Sequence, residues 1–146
     1  MSVPPNTVPP RRFPVIAVVG LSQQSHRPSH EVAAYMQAHG YRIVPVNPTY
    51  AGTHILGELC YATLQDAATA LAAENLKIGI VDCFRKATEI GPIADAAIAI
   101  GAPCLWLQLG VINHEAAERA RGAGLQVIMD RCIKIEHAAG RDHGVL

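Results

Sequence analysis

The segment after the first apolar run of the chain, "GLSQQSHRPS" (20–29), gathers hydroxyl and guanidinium groups behind a single glycine. Gly20 permits a tight turn, while Ser22 and Ser25 offer hydroxyl groups. Arg27 offers a forked donor that suits a phosphate, and the chain then enters a predicted helix, whose first N–H groups attract anions. These residues predict an anion site. The alternative, in which the serines only stabilise a turn, stays open.

Asparagine and proline follow the second apolar run, where dinucleotide-binding proteins carry an acidic residue that binds the ribose of NAD. Here the chain reads "NPTY" from position 47, has no acidic residue between Asn47 and Glu58, and also lacks a G-x-G-x-x-G pattern. A nicotinamide cofactor is therefore not expected. Asn47 could hydrogen-bond a base or ribose edge, with Pro48 packed beside it, or the two residues could simply form a rigid turn.

Two cations and a glutamine follow the third and fourth apolar runs. Arg85 and Lys86 would lie beside the first loop, where they could meet a second phosphate or pair with Glu89 at the surface. Gln108 and Gly110 open a loop whose backbone can approach a ligand closely. All of these residues are candidates for ligand contact.

The four cysteines and seven histidines form no pattern of a metal or redox site. The cysteines lie more than twenty residues apart, without a C-x-x-C pair. His26 and His30 are four residues apart, but no H-E-x-x-H or G-x-S-x-G occurs. Cys132, beside Arg131 near the start of the last predicted helix, has two features that favour a reactive thiol. A small buried hydrophobic residue is the alternative for Cys132. No metal site is predicted.

Apolar runs and helical patterns alternate through the chain after residue 14. Five strands are predicted, at 15–20, 41–46, 78–84, 103–108 and 125–130, and five helices, at 29–40, 64–74, 88–101, 113–124 and 131–140. Ser29, Asn113 and Asp130 are predicted N-caps, and two helices are predicted to stop at Gly40 and Gly101. Short connections favour an α/β fold with one five-stranded parallel sheet and helices on both faces. Ligands bind such sheets at the carboxyl ends of the strands, where the polar segments lie.

The composition favours a compact, soluble domain with a large covered sheet. Of 146 residues, 50% are hydrophobic, and twelve basic side chains balance twelve acidic ones. General electrostatic attraction to nucleic acid or to a membrane surface is therefore not expected. No apolar run reaches the roughly 18 residues of a membrane span. The first residues do not resemble an export signal, so a cytoplasmic protein with reduced thiols is expected.

Five segments stand out by their order along the chain: "IAVVGLSQQSHRPSHEVAAYMQAHGYRIVPVNP", "ILGELCYATL", "IVDCFRKATEI", "WLQLGV" and "AGLQVIMDRCIKIEH". This succession, from about 14 to 137, closely resembles the CoA-binding protein family of small stand-alone Rossmann-like domains. It is more distantly similar to the N-terminal CoA-binding domain of the succinyl-CoA synthetase α subunit. Together with the composition, the resemblance implies a single Rossmann-like domain at 14–139. A flexible Pro-rich arm at 1–13 and a flexible tail at 140–146 would flank it.

The resemblance also implies which loops would bind CoA. The first loop would wrap the phosphates, the second would contact the adenosine end, the third would touch the nucleotide and the fourth would face the pantetheine arm. The matching positions are Gly20, Leu21, Ser22, Ser25, Arg27, Pro28 and Ser29, then Val46, Asn47 and Pro48, then Cys83, Phe84 and Arg85, then Gln108, Leu109 and Gly110.

Three positions depart from the family pattern. The family often carries Asp where Gly79 stands and Val where Cys83 stands, and segment 67–77 lacks the proline-rich character of its relatives. The first two lie on the third predicted strand, so they bear on packing more than on ligand contact. The third affects one edge of the predicted site.

Three functions are compatible with these residues. The resemblance favours non-catalytic binding of CoA or acyl-CoA, because the related synthetases need a phosphorylated histidine and a nucleotide-grasp partner for which this chain has no room. A small enzyme that handles acyl-CoA or a nucleotide through Cys132 or Arg85 is the second. An NAD(P)-sensing redox domain is the third. A homodimer through the open sheet edge, or an unidentified protein partner, is also open.

Overall fold

The computed structural model describes residues 12–146 as a five-stranded sheet covered by five helices. The sheet contains β1 (Val15–Val19), β2 (Arg42–Val46), β5 (Ile80–Cys83), β6 (Cys104–Leu107) and β7 (Gln126–Ile128). The helices are α1 (Pro28–Ala38), α2 (Leu64–Ala72), α3 (Ile90–Ala99), α4 (His114–Gly122) and α5 (Ile133–Ala138). Two short strands, β3 (His54–Ile55) and β4 (Glu58–Leu59), and two 3-10 turns, Pro48–Tyr50 and Ala87–Glu89, complete the fold. The predicted α/β architecture is confirmed.

The sheet strands lie in the order β2-β1-β5-β6-β7 and all pair in parallel. Because β1 pairs with β2 on one side and with β5 on the other, the chain winds outward from β1 in both directions. Loops on the two sides of such a switch point diverge and leave a crevice at the carboxyl ends of the strands. The candidate site lies in this crevice.

Each face of the sheet carries an apolar layer. Ala17 and Val81 belong to the layer that packs against α2, α3 and α4. Ile16 and Trp106 belong to the opposite layer, against α1 and α5. Strands β1, β5 and β6 are buried along their whole length, as is typical of the centre of a parallel sheet. Trp106, fully buried, donates from Nε1 to the carbonyl oxygen of Arg131 at 2.8 Å and so ties β6 to the loop before α5.

Three of the predicted helix ends are confirmed. The side chain of Asn113 caps α4 by accepting a hydrogen bond from the N–H of Ala116 at 3.0 Å. Gly40 and Gly101 follow the ends of α1 and α3 with φ of 92° and 73°, the left-handed conformation that glycine adopts without strain. Capping at these three sites follows from local residue type alone.

Two predicted N-caps are wrong. Helix α1 begins at Pro28, so Ser29 lies inside its first turn, because proline is favoured at the first helical position. Helix α5 begins at Ile133 with Cys132 at the cap position, so Asp130 lies two residues outside the cap. Both side chains bind neighbouring loops instead, in contacts that local sequence does not indicate.

A short hairpin of β3 and β4 follows β2 and was not predicted. Two residues after β4, Tyr61 donates its N–H to the carbonyl oxygen of Pro45 at 3.0 Å, and its carbonyl oxygen accepts from the N–H of Asn47 at 2.9 Å. Arg42 of β2 pairs with Glu58 of β4 at 3.1 Å. The hairpin therefore borders the outer edge of β2. Two-residue strands are too short to show an alternating pattern, which explains the missed prediction.

Residues near both ends of the described range pack against the domain. Phe13 lies over Gly79, where a Cβ would come within 2.5 Å of the Cβ of Phe13, so this departure from the family pattern makes room for an aromatic ring. Val145 is fully buried in the layer against α1 and α5. The segment 140–146, predicted as a flexible tail, thus contacts the domain through its last apolar residues. The predicted arm falls on residues 1–11, outside the described range, and on Arg12 and Phe13.

None of the helices formed by residues 12–146 is long and apolar enough to cross a membrane.

Candidate functional site

Three cavities open at the carboxyl ends of the sheet strands. The first, here called the polar cavity, has a volume of about 390 Å³ and lies between the β1–α1 loop, the turn after β2 and the end of β5. The second, the apolar cavity, has a volume of about 830 Å³ and lies between the end of β5, the β6–α4 loop, α1 and α5. The third cavity, of about 460 Å³, lies between β2, α2 and α3. Arg85 lines all three, so the cavities adjoin at this residue.

Gly20 sets the course of the loop around the polar cavity. Its φ is 91°, and a Cβ at this position would collide with the carbonyl oxygen of Phe84. Its N–H donates to the carbonyl oxygen of Val46 at 2.8 Å. A glycine is needed here on both counts, because the left-handed conformation and the close approach each exclude a side chain.

Two serine side chains hold this loop against the first turn of α1. The buried Ser29 Oγ accepts a hydrogen bond from the N–H of Ser22 at 3.1 Å. Ser22 Oγ in turn accepts from the N–H of Gln24 at 3.0 Å. A hydroxyl that accepts one bond still carries a proton to donate, so both serines can serve the loop and a bound anion. Stabilising the turn and binding an anion are therefore compatible roles for these serines.

Asn47 joins the turn after β2 to the same loop. It is 6% exposed, and its Nδ2 donates to the carbonyl oxygen of Leu21 at 3.1 Å. Its Oδ1 accepts from the N–H of Thr49 at 3.0 Å. Asn47 therefore stabilises two loops at the wall of the polar cavity. Contact between its side chain and a nucleoside stays a prediction.

Arg85 and Glu89 stand where the cavities meet. Arg85 is half-buried, and its Nε lies 3.8 Å from Glu89 Oε2, one helical turn further along the chain. This is a loose, partly exposed ion pair, which contributes little to stability. The predicted pairing of one cation with Glu89 is present at Arg85, which also lines all three cavities, and contact with a phosphate stays a prediction.

A buried polar pair lies beside the apolar cavity. Asp82 of β5 is 1% exposed, and its Oδ1 accepts a hydrogen bond from Gln108 Nε2 at 2.5 Å. Burial raises the pKa of Asp82 from 3.8 to about 7, although the bond from Gln108 opposes the shift. The side-chain N–H of Gln108 is thereby directed to Asp82. The predicted approach of the Gln108–Gly110 loop to a ligand concerns its backbone and stays a prediction.

Side chains also tie the β6–α4 loop to its neighbours. The N–H of Gly110, a residue with φ of 83°, donates to Asp130 Oδ1 at 2.7 Å. Asn113 Nδ2 donates to the carbonyl oxygen of Ala87 at 2.9 Å. The loop that borders the apolar cavity is therefore held at both ends by bonds to other strand-end loops.

The structure brings most of the predicted site residues together. Those that line at least one cavity are Gly20, Ser22, Arg27, Pro28, Ser29, Val46, Asn47, Pro48, Phe84, Arg85 and Gln108. Four others line none of the three: Leu21, Ser25, Cys83 and Gly110. Leu21 and Cys83 are fully buried core residues, and Ser25 is exposed on the loop. Their roles in binding stay predictions.

Several cavity residues were not among the predicted ones, and those of the apolar cavity are apolar. The polar cavity also includes Gln24, Thr49 and Tyr50, and the apolar cavity also includes Val32, Val111 and Ile135. A polar strand-end segment is easy to recognise in sequence, whereas an apolar helix residue looks the same whether it faces a core or a cavity. The one available signal was the run of large apolar residues in "LGVIN" directly after β6.

The four cysteines differ in their surroundings. Cys60, Cys83 and Cys104 are buried, and burial raises the pKa of each thiol, to about 12 for Cys104. Cys132 is half-buried and lines the apolar cavity. In the part of the chain from 12 to 146, no three His, Cys, Asp or Glu side chains are grouped closely enough to hold a metal ion.

Comparisons with known proteins agree with this architecture. Residues 14–138 match the family described as CoA binding domain. The uncharacterized protein YneT of Bacillus subtilis (strain 168) is 38% identical over 128 residues, which cover 84% of this chain and 84% of YneT. A hypothetical protein from Pyrococcus horikoshii OT3 is 35% identical with a TM-score of 0.78, covering 88% of this chain and 84% of that one. The apo form of a dinucleotide-forming acetyl-coenzyme A synthetase 1 from Ca. Korarchaeum cryptofilum shares the fold at 17% identity and a TM-score of 0.64, over 80% of this chain and 26% of that one.

Proposed function

Because this chain belongs to the CoA binding domain family, we propose that it binds CoA or an acyl-CoA in the crevice at the carboxyl ends of β1, β5 and β6. The observation that carries the proposal is that a polar cavity and an apolar cavity adjoin, with Pro28, Phe84 and Arg85 lining both. CoA has the same division, with a phosphorylated nucleotide at one end and a long, uncharged arm at the other. One extended ligand of this kind would occupy both cavities.

The polar cavity offers donors for the pyrophosphate. The hydroxyls of Ser22 and Ser29 line it, as does the first turn of α1, whose N–H groups attract anions. Arg27 is exposed at its rim, with Nε 3.4 Å from Gln24 Oε1, a weak contact that a phosphate would displace. The pyrophosphate would lie across the β1–α1 loop, between Arg27 and Arg85.

The third cavity suits the adenosine end. Its wall combines the apolar side chains of Val46, Leu64 and Ile93 with the ring of Pro48. Apolar walls of this kind bury a purine ring, and the polar turn residue Thr63 on the same wall offers a hydrogen-bonding partner. The adenosine would thus leave Arg85 in the direction opposite to the pantetheine arm.

We propose that binding occurs without turnover. Three polar side chains of the crevice are engaged in structural contacts: Ser29 with Ser22, Asn47 with Leu21 and Thr49, and Gln108 with Asp82. Purified protein incubated with acyl-CoA should release no CoA or acid over background. Steady product formation would contradict this part of the proposal, and its loss in Cys132→Ser would then assign the reaction to the thiol.

A ligand panel tests the proposed binding. Thermal-shift and calorimetric measurements with CoA, ADP, NAD and NADP should show stabilisation by CoA in preference to the two nicotinamide cofactors. Arg27→Ala and Arg85→Ala should each weaken CoA binding by about ten- to a hundredfold, since a charge-assisted bond contributes about 1.5–3 kcal/mol. Arg121→Ala, an exposed arginine of α4 outside the three cavities, is the matched control. Equal affinity for CoA in all three variants would overturn the proposed site.

A further inference from the structure

Large apolar side chains are exposed mainly around one cavity. Within residues 12–146, the exposed large hydrophobic residues are Leu59, Leu109, Ile112 and Ile135, at 39%, 66%, 45% and 52% exposure. Leu109 and Ile135 line the apolar cavity, and Ile112 belongs to the same β6–α4 loop as Leu109. Exposed apolar groups that cluster in this way mark a binding surface.

The wall of the apolar cavity is also largely apolar. Seven of its lining residues carry apolar or weakly polar side chains: Pro28, Val32, Phe84, Leu109, Val111, Cys132 and Ile135. Of the four charged or polar lining residues, Gln108 donates to Asp82, Arg85 and Glu89 also line the third cavity, and the exposed Lys86 directly follows Arg85 in the chain. The part of the cavity far from Arg85 therefore has few groups for a polar ligand.

The cavity is larger than the end of a pantetheine arm requires. Its volume of about 830 Å³ is more than twice the 390 Å³ or so of the polar cavity. Sites for whole drug-sized ligands have volumes of about 300–1,000 Å³. The thiol end of free CoA would leave part of this space, and the exposed leucine and isoleucine side chains beside it, without a contact.

We propose that the apolar cavity holds the acyl chain of an acyl-CoA, so that the preferred ligand carries an uncharged aliphatic acyl group of several carbons. This inference rests on the proposed function, because the arm reaches the cavity only if the pyrophosphate occupies the polar cavity. The thioester would lie near Phe84 and Gln108. The chain beyond it would contact Leu109, Val111 and Ile135.

Affinity as a function of chain length tests the inference. Calorimetric titration with CoA, acetyl-, butyryl-, hexanoyl- and octanoyl-CoA should show affinity rising by about two- to fourfold per methylene, the range expected from partial to full burial. Succinyl-CoA, with a terminal carboxylate, should bind more weakly than butyryl-CoA. Tight binding of CoA with no gain along the series would overturn the acyl inference alone. Failure of every member to bind would overturn the proposed function itself.

Two variants locate the chain in the cavity. Leu109→Gln and Ile135→Thr, both at exposed positions, should reduce the ratio of octanoyl-CoA to CoA affinity by at least threefold each. Leu59→Gln, an exposed leucine of the β3–β4 hairpin outside the apolar cavity, should keep the wild-type ratio. An unchanged ratio in the first two variants would contradict the assignment.

The same variants decide between a ligand and a second copy of the chain. Sedimentation velocity should give one oligomeric state for wild type, Leu109→Gln and Ile135→Thr. A wild-type dimer that both variants dissociate, with the chain-length dependence unchanged, would show that the exposed patch packs against another protomer and would overturn the inference.

Discussion

In the polar cavity, hydroxyl and amide side chains bind backbone groups of two loops and remain at the cavity wall, whereas beside the apolar cavity the Gln108 amide is bound to a buried carboxyl group. The first arrangement leaves donors available for an anion. The second leaves an apolar wall with exposed Leu109 and Ile135 at its rim. The difference shows that one sheet edge can offer two chemistries, because each strand-end loop is held by a different partner.

The largest expected effect concerns the buried pair beside the apolar cavity. The native protein holds a proton on Asp82 up to a pKa of about 7, while an unfolded chain releases it near 3.8. The tighter binding of this proton by the native protein therefore stabilises the fold fully below pH 4, and this stabilisation is lost as the pH rises through 7. It amounts to up to about 4 kcal/mol, at roughly 1.4 kcal/mol per unit of pKa difference. Asp82→Asn cannot titrate, so its stability relative to wild type should rise across this range.

Urea denaturation at pH 5, 6, 7 and 8 measures this difference, and titrations shared by the two proteins cancel in it. The exposed Glu118→Gln is the control and should follow the wild-type curve. A constant difference between Asp82→Asn and wild type from pH 5 to 8 would mean that Asp82 is ionised throughout and that a buried charge lies beside the apolar cavity.

The next effect concerns the backbone of the polar cavity. Gly20→Ala should lower the free energy of unfolding by about 3 kcal/mol, because alanine is strained at φ of 91° and its Cβ would collide with Phe84. Gly122→Ala is the matched control, since no atom lies within 4 Å of a Cβ there. It lies in α4 and should gain up to about 1 kcal/mol. Equal stability of the two variants would show that the loop can shift, and with it the wall of the polar cavity.

The smallest effect concerns the junction of the two cavities. Glu89 pairs loosely with Arg85 and would repel a phosphate bound there. Glu89→Gln should therefore increase CoA affinity by about two- to fivefold, in keeping with roughly 0.5–1 kcal/mol for an exposed pair. Glu115→Gln, which removes the corresponding i,i+4 pair with Arg119 on α4, should leave CoA affinity unchanged. A loss of affinity in Glu89→Gln would indicate that Glu89 positions Arg85 for binding.

The polar half of the candidate site could be predicted because its residues are unusual for their position. Serine, arginine and asparagine that follow a buried strand have no place in a core, so Ser22, Arg27 and Asn47 stand out. The apolar half could not be predicted in this way. Val32 and Ile135 fit the apolar face of any helix, and only the packing of α1 and α5 around the end of β6 makes them part of a cavity wall.

The sequence by itself determined the five strands, the five helices and the edge of the sheet where polar segments collect, because hydrophobic periodicity and capping residues act over a few neighbouring positions. Only the tertiary structure decided what the polar side chains do there. Ser29 binds Ser22, Asp130 binds Gly110, and Gln108 binds Asp82, in pairs separated by 7 to 26 positions. Such pairs depend on how crossovers bring loops together, and this information is not contained in any local run of residues.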